Sequence, residues 1–440
     1  MKYFSLNTPT HTSSFKDAVI RGIAPDKGLY FPSDIRPLPT EFFEQIASYS
    51  TQEIAFKAIE QFVGNEIPEE ELKSILTEVL DFEFPVVELD KNLATLELFH
   101  GPTMAFKDVG ARFMARCLGY FSKQSTTKEK VTVLVATSGD TGGAVANGFL
   151  GVEGVEVVIL YPKGKVSPIQ EKQLTTLGQN IRALEVEGSF DDCQRFVKNA
   201  FLDEEITNQM KLTSANSINI ARWLPQMLYY FIAYQQLKNR QADLVISVPS
   251  GNFGNICAGM VAYKLGLQIS HFIAATNSNR VIPDYMETQE YNPRPSIPTI
   301  SNAMDVGDPS NFIRIQKLFG SDFQELSAHF SSESFDDEQT KAALLKLYIE
   351  NNYIADPHGA VGFLGLESYL EQHPESYGIF LETAHPVKFL EVVEETLQTK
   401  IEIPQQIQRV MDGKKMAQEI STYNELKSFL LQQNKINEYV

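Results

Sequence analysis

The sequence predicts an α/β fold of two lobes, each a parallel sheet flanked by helices, with an N-terminal module ahead of them. Three observations lead there. The chain has 440 residues, more than one hydrophobic core usually serves. Apolar runs of strand length, such as Val131–Ala136 and Asp243–Pro249, alternate with segments of helical periodicity. Those runs are apolar at most positions rather than at alternate ones, the pattern of strands buried on both faces in parallel sheets.

Composition narrows the function. Hydrophobic residues make up 43% and charged residues 21%, ordinary for a globular chain. The formal net charge of −18, from 38 basic and 56 acidic residues, argues against a nucleic-acid surface. It leaves room for a local basic pocket and an anionic small molecule. Cys117, Cys193 and Cys257 lie far apart without metal-ligand spacing and read as buried thiols of a reducing compartment, with no metal site. No signal-peptide pattern opens the chain, and no apolar run reaches membrane-spanning length. The expectation is a cytoplasmic protein without a membrane partner.

In chain order, residues 1–90 read as a mostly helical module. Asp26–Ser33 forms a turn and short strand; Ile54, Phe56, Ala58, Ile59 and Phe62 belong to a helix. Pro68 opens a second helix with acids in its first turn, where the dipole favours them. Next comes Leu96-Glu-Leu-Phe-His-Gly-Pro-Thr-Met-Ala-Phe-Lys-Asp108. An apolar run is broken at His100-Gly101-Pro102, and a helix starts near Phe106, burying Val109, Phe113, Cys117 and Phe121. Lys107 sits in its first turn, at the positive end of the dipole. One reading is a nucleophilic amine of lowered pKa. The other is a solvated lysine whose stem packs on Phe106.

Strand Val131–Ala136 runs into Thr137-Ser-Gly-Asp-Thr-Gly-Gly143. A glycine-rich turn at a helix start presents unpaired N–H groups that bind a carboxylate or a phosphate, or it is simply a tight turn. It is not a Walker loop, because no Gly-Lys-Ser/Thr follows. After strand 155–161, Lys163, Lys165 and Ser167 cluster at a strand end, where α/β folds gather ligands. Asn216, Ser217, Asn219 and Arg222 then precede a long apolar helix. They form either a capping cluster or a substrate-binding turn, with Arg222 offering a fork to an anion. After strand 243–249, Ser250-Gly-Asn-Phe-Gly-Asn255 lets several N–H groups converge before another helix. A third glycine at the dinucleotide-binding step is missing. Strand 271–277, a proline-rich stretch 291–298, a helix over 336–352 and a strand ending at Thr383 follow. His358, at a turn, is not assigned catalysis.

Several of these stretches carry a resemblance. His100-Gly-Pro-Thr-Met-Ala-Phe-Lys-Asp108 resembles the cofactor-lysine motif of threonine synthases, pyridoxal-phosphate enzymes of the β-family, fold type II. Ala24–Phe31, the Asn216–Asn219 block and Ser301-Asn-Ala-Met-Asp305 are similar to segments of the same family. The resemblance implies pyridoxal 5'-phosphate held by Lys107 in the cleft between lobes. It implies Ser250, Gly251, Asn252, Phe253, Gly254 and Asn255 cradling its phosphate, Asp140 near its ring hydroxyl and Thr383 near its ring nitrogen. Asp140 stands where relatives often have Asn. It further implies Thr137, Ser138, Gly139 and Thr141 binding the substrate α-carboxylate, with Lys165, Ser167, Asn216, Asn219 and Arg222 as further substrate contacts.

The implied activity is that of a lyase in threonine biosynthesis, converting O-phospho-L-homoserine and water to L-threonine and phosphate. Alternatives are a serine/threonine dehydratase or cysteine synthase on the same scaffold, or a silent ligand-binding relative. The expected organisation is a module over 1–90, a catalytic core over 91–400 with its small lobe near 115–235, and a helical extension over 401–440. A monomer or homodimer is expected.

Overall fold

The computed structural model describes residues 1–124, 130–237 and 243–438. They group into two compact units, one of Met1, 31–106 and 223–402, the other of 2–30, 107–222 and 403–440. Compactness therefore cuts across the three chain segments expected from the sequence. The first ninety residues are divided between the units, and the last forty join the unit built around 107–222.

The first unit carries a six-stranded sheet in the order Phe330–Ser334, His271–Thr276, Leu244–Pro249, Tyr377–Glu382, Leu93–Glu97, Val86–Asp90. Neighbours run parallel except the last pair, which is an antiparallel edge. Every residue of Leu244–Pro249 and Tyr377–Glu382 is buried, including the polar Ser247 and Glu382. Helix Pro357–Gln372 lies on these two strands, and the Ser247 hydroxyl donates to the Gly362 carbonyl at 2.6 Å. Helix Thr51–Val63, started by a full capping box at Ser50 and Glu53, buries Ile54, Ala58, Ile59 and Phe62 and leaves Phe56 half-buried.

The second unit carries a five-stranded, wholly parallel sheet in the order Ala417–Ile420, Ile181–Val186, Val155–Pro162, Val131–Ala136, Lys211–Ser214. Leu134, Val158, Leu160, Leu184, Val186, Phe196, Leu426 and Leu430 form one core beneath it. The 401–440 segment, expected to be helical, thus also supplies an edge strand. Four residues with one buried position leave no alternation for a sequence reading to detect. Cys117, Cys193 and Cys257 are buried free thiols, and burial raises the pKa of each, Cys193 and Cys257 to about 12.

His271 opens the strand beside the sheet edge, stacked on Tyr369 with ring centroids 5.0 Å apart and its Nε2 2.9 Å from Ser331 Oγ. Burial depresses its pKa from 6.5 to about 4. A depressed folded-state value contributes stability that is present above pH 6.5 and lost as the pH falls through 4. Urea unfolding is expected to show His271→Gln with a weaker loss of stability than wild type across that window, by up to about 3 kcal/mol.

Candidate active site

In each unit the residues singled out by sequence collect at the C-terminal edge of a parallel sheet, where βα turns expose backbone donors. In the five-stranded sheet, the adjacent strands Lys211–Ser214, Val131–Ala136 and Val155–Pro162 deliver the loops at 216–222, 137–141 and 163–167 side by side. In the six-stranded sheet, adjacent strands deliver Gly251 and Thr383, and Leu93–Glu97 leads into the segment preceding Lys107.

Lys107 is the first residue of helix Lys107–Lys123 and is half-buried. The segment before it is pinned along its length. Buried Lys388 donates to the Thr103 carbonyl at 2.9 Å; Met104 takes a left-handed conformation, φ 58°. Ala105 bridges Ala384, and the Phe106 N–H donates to the Thr383 carbonyl at 2.9 Å. The Tyr229 hydroxyl donates to the Phe106 carbonyl. These four attachments fix where the Lys107 side chain begins. Sequence reasoning missed Tyr229 and Lys388. Lys388 alone left a trace, as a charge in the otherwise apolar 386–390 stretch.

Loop 250–255 feeds helix Gly254–Lys264. Phe253, in the left-handed region at φ 60° and ψ 15°, caps it without any side-chain hydrogen bond. A residue of that conformation between extended and helical neighbours turns successive N–H groups toward one point, and the helix dipole adds to the pull on an anion. Ser250 departs from expectation. Its N–H donates to the Ala275 carbonyl and its hydroxyl to the Val248 carbonyl, both at 2.8 Å, so its donors are spent and the cradle begins at Gly251. The side chains of Asn252 and Asn255 also face inward. Asn252 Oδ1 accepts from Ser310 N–H, and the Asn255 amide donates to the Pro249 carbonyl at 2.8 Å. What Gly251–Asn255 offers is backbone donors, without an acidic side chain among them. That donor set fits a phosphate dianion and would repel no part of it.

Loop 137–141 is similar but differently built. The Thr137 hydroxyl accepts from Gly139 N–H at 2.9 Å and Gly142 N–H at 2.8 Å, so Thr137 shapes the turn rather than facing a ligand. Helix Asp140–Phe149 starts at Gly139, φ 137°, again without a side-chain cap. Ser138 and Thr141 are half-buried, and Asp140 is buried. Gln170 fixes Asp140: its Oε1 accepts from Ser167 N–H at 3.1 Å, which turns Nε2 to donate to Asp140 Oδ1 at 3.0 Å.

Ser167 caps helix Pro168–Thr175, accepting from Gln170 N–H. Lys163 pairs with Glu419 at 2.8 Å, whereas Lys165 is exposed and carries no ion pair among the described residues. Asn216 is half-buried, and its amide donates to the Ala136 carbonyl at 3.3 Å. Asn219 corrects the substrate expectation. It is fully buried, donates to the Val19 carbonyl at 2.9 Å and the Ser214 carbonyl at 3.2 Å, and accepts from Ala221 N–H at 3.0 Å. Arg222 is buried too, with Nη1 on the Ala215 carbonyl and Nε beside Gly110 of the Lys107 helix. Both hold the turn together, the capping alternative of the sequence reading.

A lysine at a helix start, amide cradles at sheet edges and a two-lobed α/β fold define a pyridoxal-phosphate-dependent enzyme. The family model described by that phrase matches residues 44–379, and models of the threonine synthase N terminus and C-terminal region match 2–79 and 359–430. Threonine synthase of Buchnera aphidicola from Acyrthosiphon pisum is 41% identical over 98% of this chain and 100% of its own. The crystal structure of threonine synthase from Escherichia coli superposes with a TM-score of 0.92 at 40% identity, covering 98% of this chain and 100% of that one. A pyridoxal-phosphate-bound threonine synthase from Brucella melitensis gives 0.91 at 33% identity, covering 98% of each chain. The chain belongs to the threonine synthase family.

Asn219→Ala removes the partner of the Ser214 carbonyl and of the Ala221 N–H, while the Val19 carbonyl keeps the Thr213 hydroxyl at 3.2 Å. It is expected to lower stability by about 2–4 kcal/mol in urea unfolding while leaving KM within about twofold of wild type. A raised KM at unchanged stability would restore Asn219 to the substrate site.

Proposed function

We propose that this chain converts O-phospho-L-homoserine and water to L-threonine and inorganic phosphate, with pyridoxal phosphate as cofactor. The observation that carries this reading is the uncapped helix start behind Gly251–Asn255, delivered by the strand next to the one that ends at Thr383 and fixes Phe106. The threonine synthases that match over the whole chain support it.

Lys107 would hold the cofactor through its amine, Gly251–Asn255 would hold its phosphate by backbone N–H groups, and Thr383 would meet its ring nitrogen. When bound, the cofactor supplies an electron sink for the pair left as a proton leaves Cα. A hydroxyl at the ring nitrogen stabilises positive charge less than a carboxylate does, so Thr383 tempers that sink. The backbone donors around Ser138–Thr141 orient the substrate α-carboxylate. Asp140, fixed by Gln170, presents an acceptor to the cofactor's ring hydroxyl. The Lys107 amine takes the α-proton and later returns protons to carbon. Phosphate departs from Cγ and water adds at Cβ. Lys165 and the Ser167 hydroxyl would meet the departing phosphate, with Asn216 at the end of the strand on the far side of Val131–Ala136. Among the described residues no helix is long and apolar enough to cross a membrane. A cytoplasmic enzyme acting as a monomer or homodimer completes the reading.

Phosphate release from O-phospho-L-homoserine is expected to exceed deamination of serine or threonine by orders of magnitude, and the reverse ranking would assign a dehydratase. Lys107→Ala is expected to abolish turnover, and borohydride treatment of wild type followed by peptide mapping should place the label on Lys107. Lys165→Ala is expected to raise KM for phosphohomoserine roughly tenfold with a smaller change in kcat, as loss of one charged contact to phosphate implies.

A further inference from the structure

The segment Ser301-Asn-Ala-Met-Asp305 carried a family resemblance without a role. In the structure it is the floor of loop 251–255. A Cβ added to Gly251 would stand 2.8 Å from Met304 Cα and 3.0 Å from the Ala303 carbonyl oxygen. Glycine is required there because the loop backbone rests directly on this segment.

The floor is suspended from two sides. On one, the Asn277 amide donates to Asp305 Oδ1 at 2.9 Å and to the Ser301 carbonyl at 3.3 Å, and the Thr299 hydroxyl donates to Asp305 Oδ1 at 2.7 Å. On the other, the Ala303 N–H donates to His358 Nε2 at 3.2 Å. His358 is 2% exposed and its Nδ1 lies 2.5 Å from Asp356 Oδ1. Because Ala303 is the donor, Nε2 must accept, and this network assigns the ring proton to Nδ1, which gives it to Asp356.

Asp356 is itself held. Its N–H donates to Glu382 Oε1 at 2.5 Å, and Glu382 is the last residue of the strand that leads into Thr383. Asp356 Oδ2 and Glu382 Oε2 are both buried without a hydrogen-bond partner. Burial first, and the neighbouring Asp356 charge second, push the Glu382 carboxyl well above the ordinary range. A Cβ on Gly359 would fall 1.5 Å from Glu382 Oε2, so the helix admits this carboxyl only by having glycine there. One line of hydrogen bonds thus runs from the Thr383 strand end through Glu382, Asp356 and His358 to the floor of the loop.

We propose that His358 is a positioning residue for the cofactor phosphate, acting through Ala303 on the surface that carries Gly251–Asn255, with Asp356 and Glu382 holding its ring in place. The proposal rests on the reading of that loop as the phosphate seat. Two variants separate the two ends of the imidazole. His358→Gln places an acceptor near the Nε2 position and keeps the bond from Ala303. His358→Asn keeps a donor for Asp356 but leaves Ala303 N–H unmet.

Full-length protein stripped of cofactor is titrated with pyridoxal phosphate and, separately, with pyridoxal. His358→Asn is expected to weaken pyridoxal phosphate roughly tenfold or more, and His358→Gln about threefold at most, with pyridoxal affected by neither. Equal losses in both variants, or losses that extend to pyridoxal, would mean mere packing and overturn the proposal. Gly251→Ala is the control on the underlying reading and is expected to weaken pyridoxal phosphate selectively. If it does not, the phosphate seat lies elsewhere and both ideas fall; if it does while His358→Asn has no effect, only the proposal falls. Should His358→Asn not fold, Ala303→Pro deletes the donor from the other side and carries the same expectation.

Discussion

The constraint beneath everything else is that a parallel strand buried on both faces has no room for chemistry along its length. Leu244–Pro249, Tyr377–Glu382 and Val131–Ala136 are buried at every residue, so their side chains are consumed by packing. Polar function is pushed to the strand ends. There the chain must turn into a helix whose first N–H groups have no partner within the helix. Two helix starts of this kind, at Gly139 and at Phe253, lack a side-chain cap. Elsewhere, at Ser50, Ser167, Ser189 and Asp336, full capping boxes close the same gap.

Glu382 is the exception to the rule and shows its cost. A carboxyl at the end of a wholly buried strand has no water to face. It is accommodated by an N–H from Asp356 and by the absence of a side chain at Gly359, and burial pushes its carboxyl well above the ordinary range. His385, also mostly buried, is driven the other way, its pKa depressed to about 4 by desolvation.

Strands, helix starts and the order of the loops along the chain were legible in the sequence, because each depends on local pattern: continuous apolar runs, glycine at turns, periodicity in helices. The direction each candidate side chain faces was not. Asn216 and Asn219 differ by three residues and look alike in sequence, yet one is half-buried at a strand end and the other is locked to Val19, nearly two hundred residues away. Ser250 and Thr137 stand at the heads of their loops, but both spend their polar groups on shaping the turn. Hydroxyls and amides near a turn have backbone partners close by, and geometry alone decides whether the protein or a ligand takes them.

The sequence by itself determined the class of fold, the two glycine-rich helix starts and the lysine at the head of its helix, since propensity and periodicity act over a few neighbouring residues. Only the tertiary structure decided that the C-terminal segment completes a sheet, that Tyr229 and Lys388 anchor the approach to Lys107, and that His358 carries the floor of loop 251–255. Those are contacts between residues tens to hundreds of positions apart. They exist only once strand order has been fixed by burial, and no local pattern in the chain encodes them.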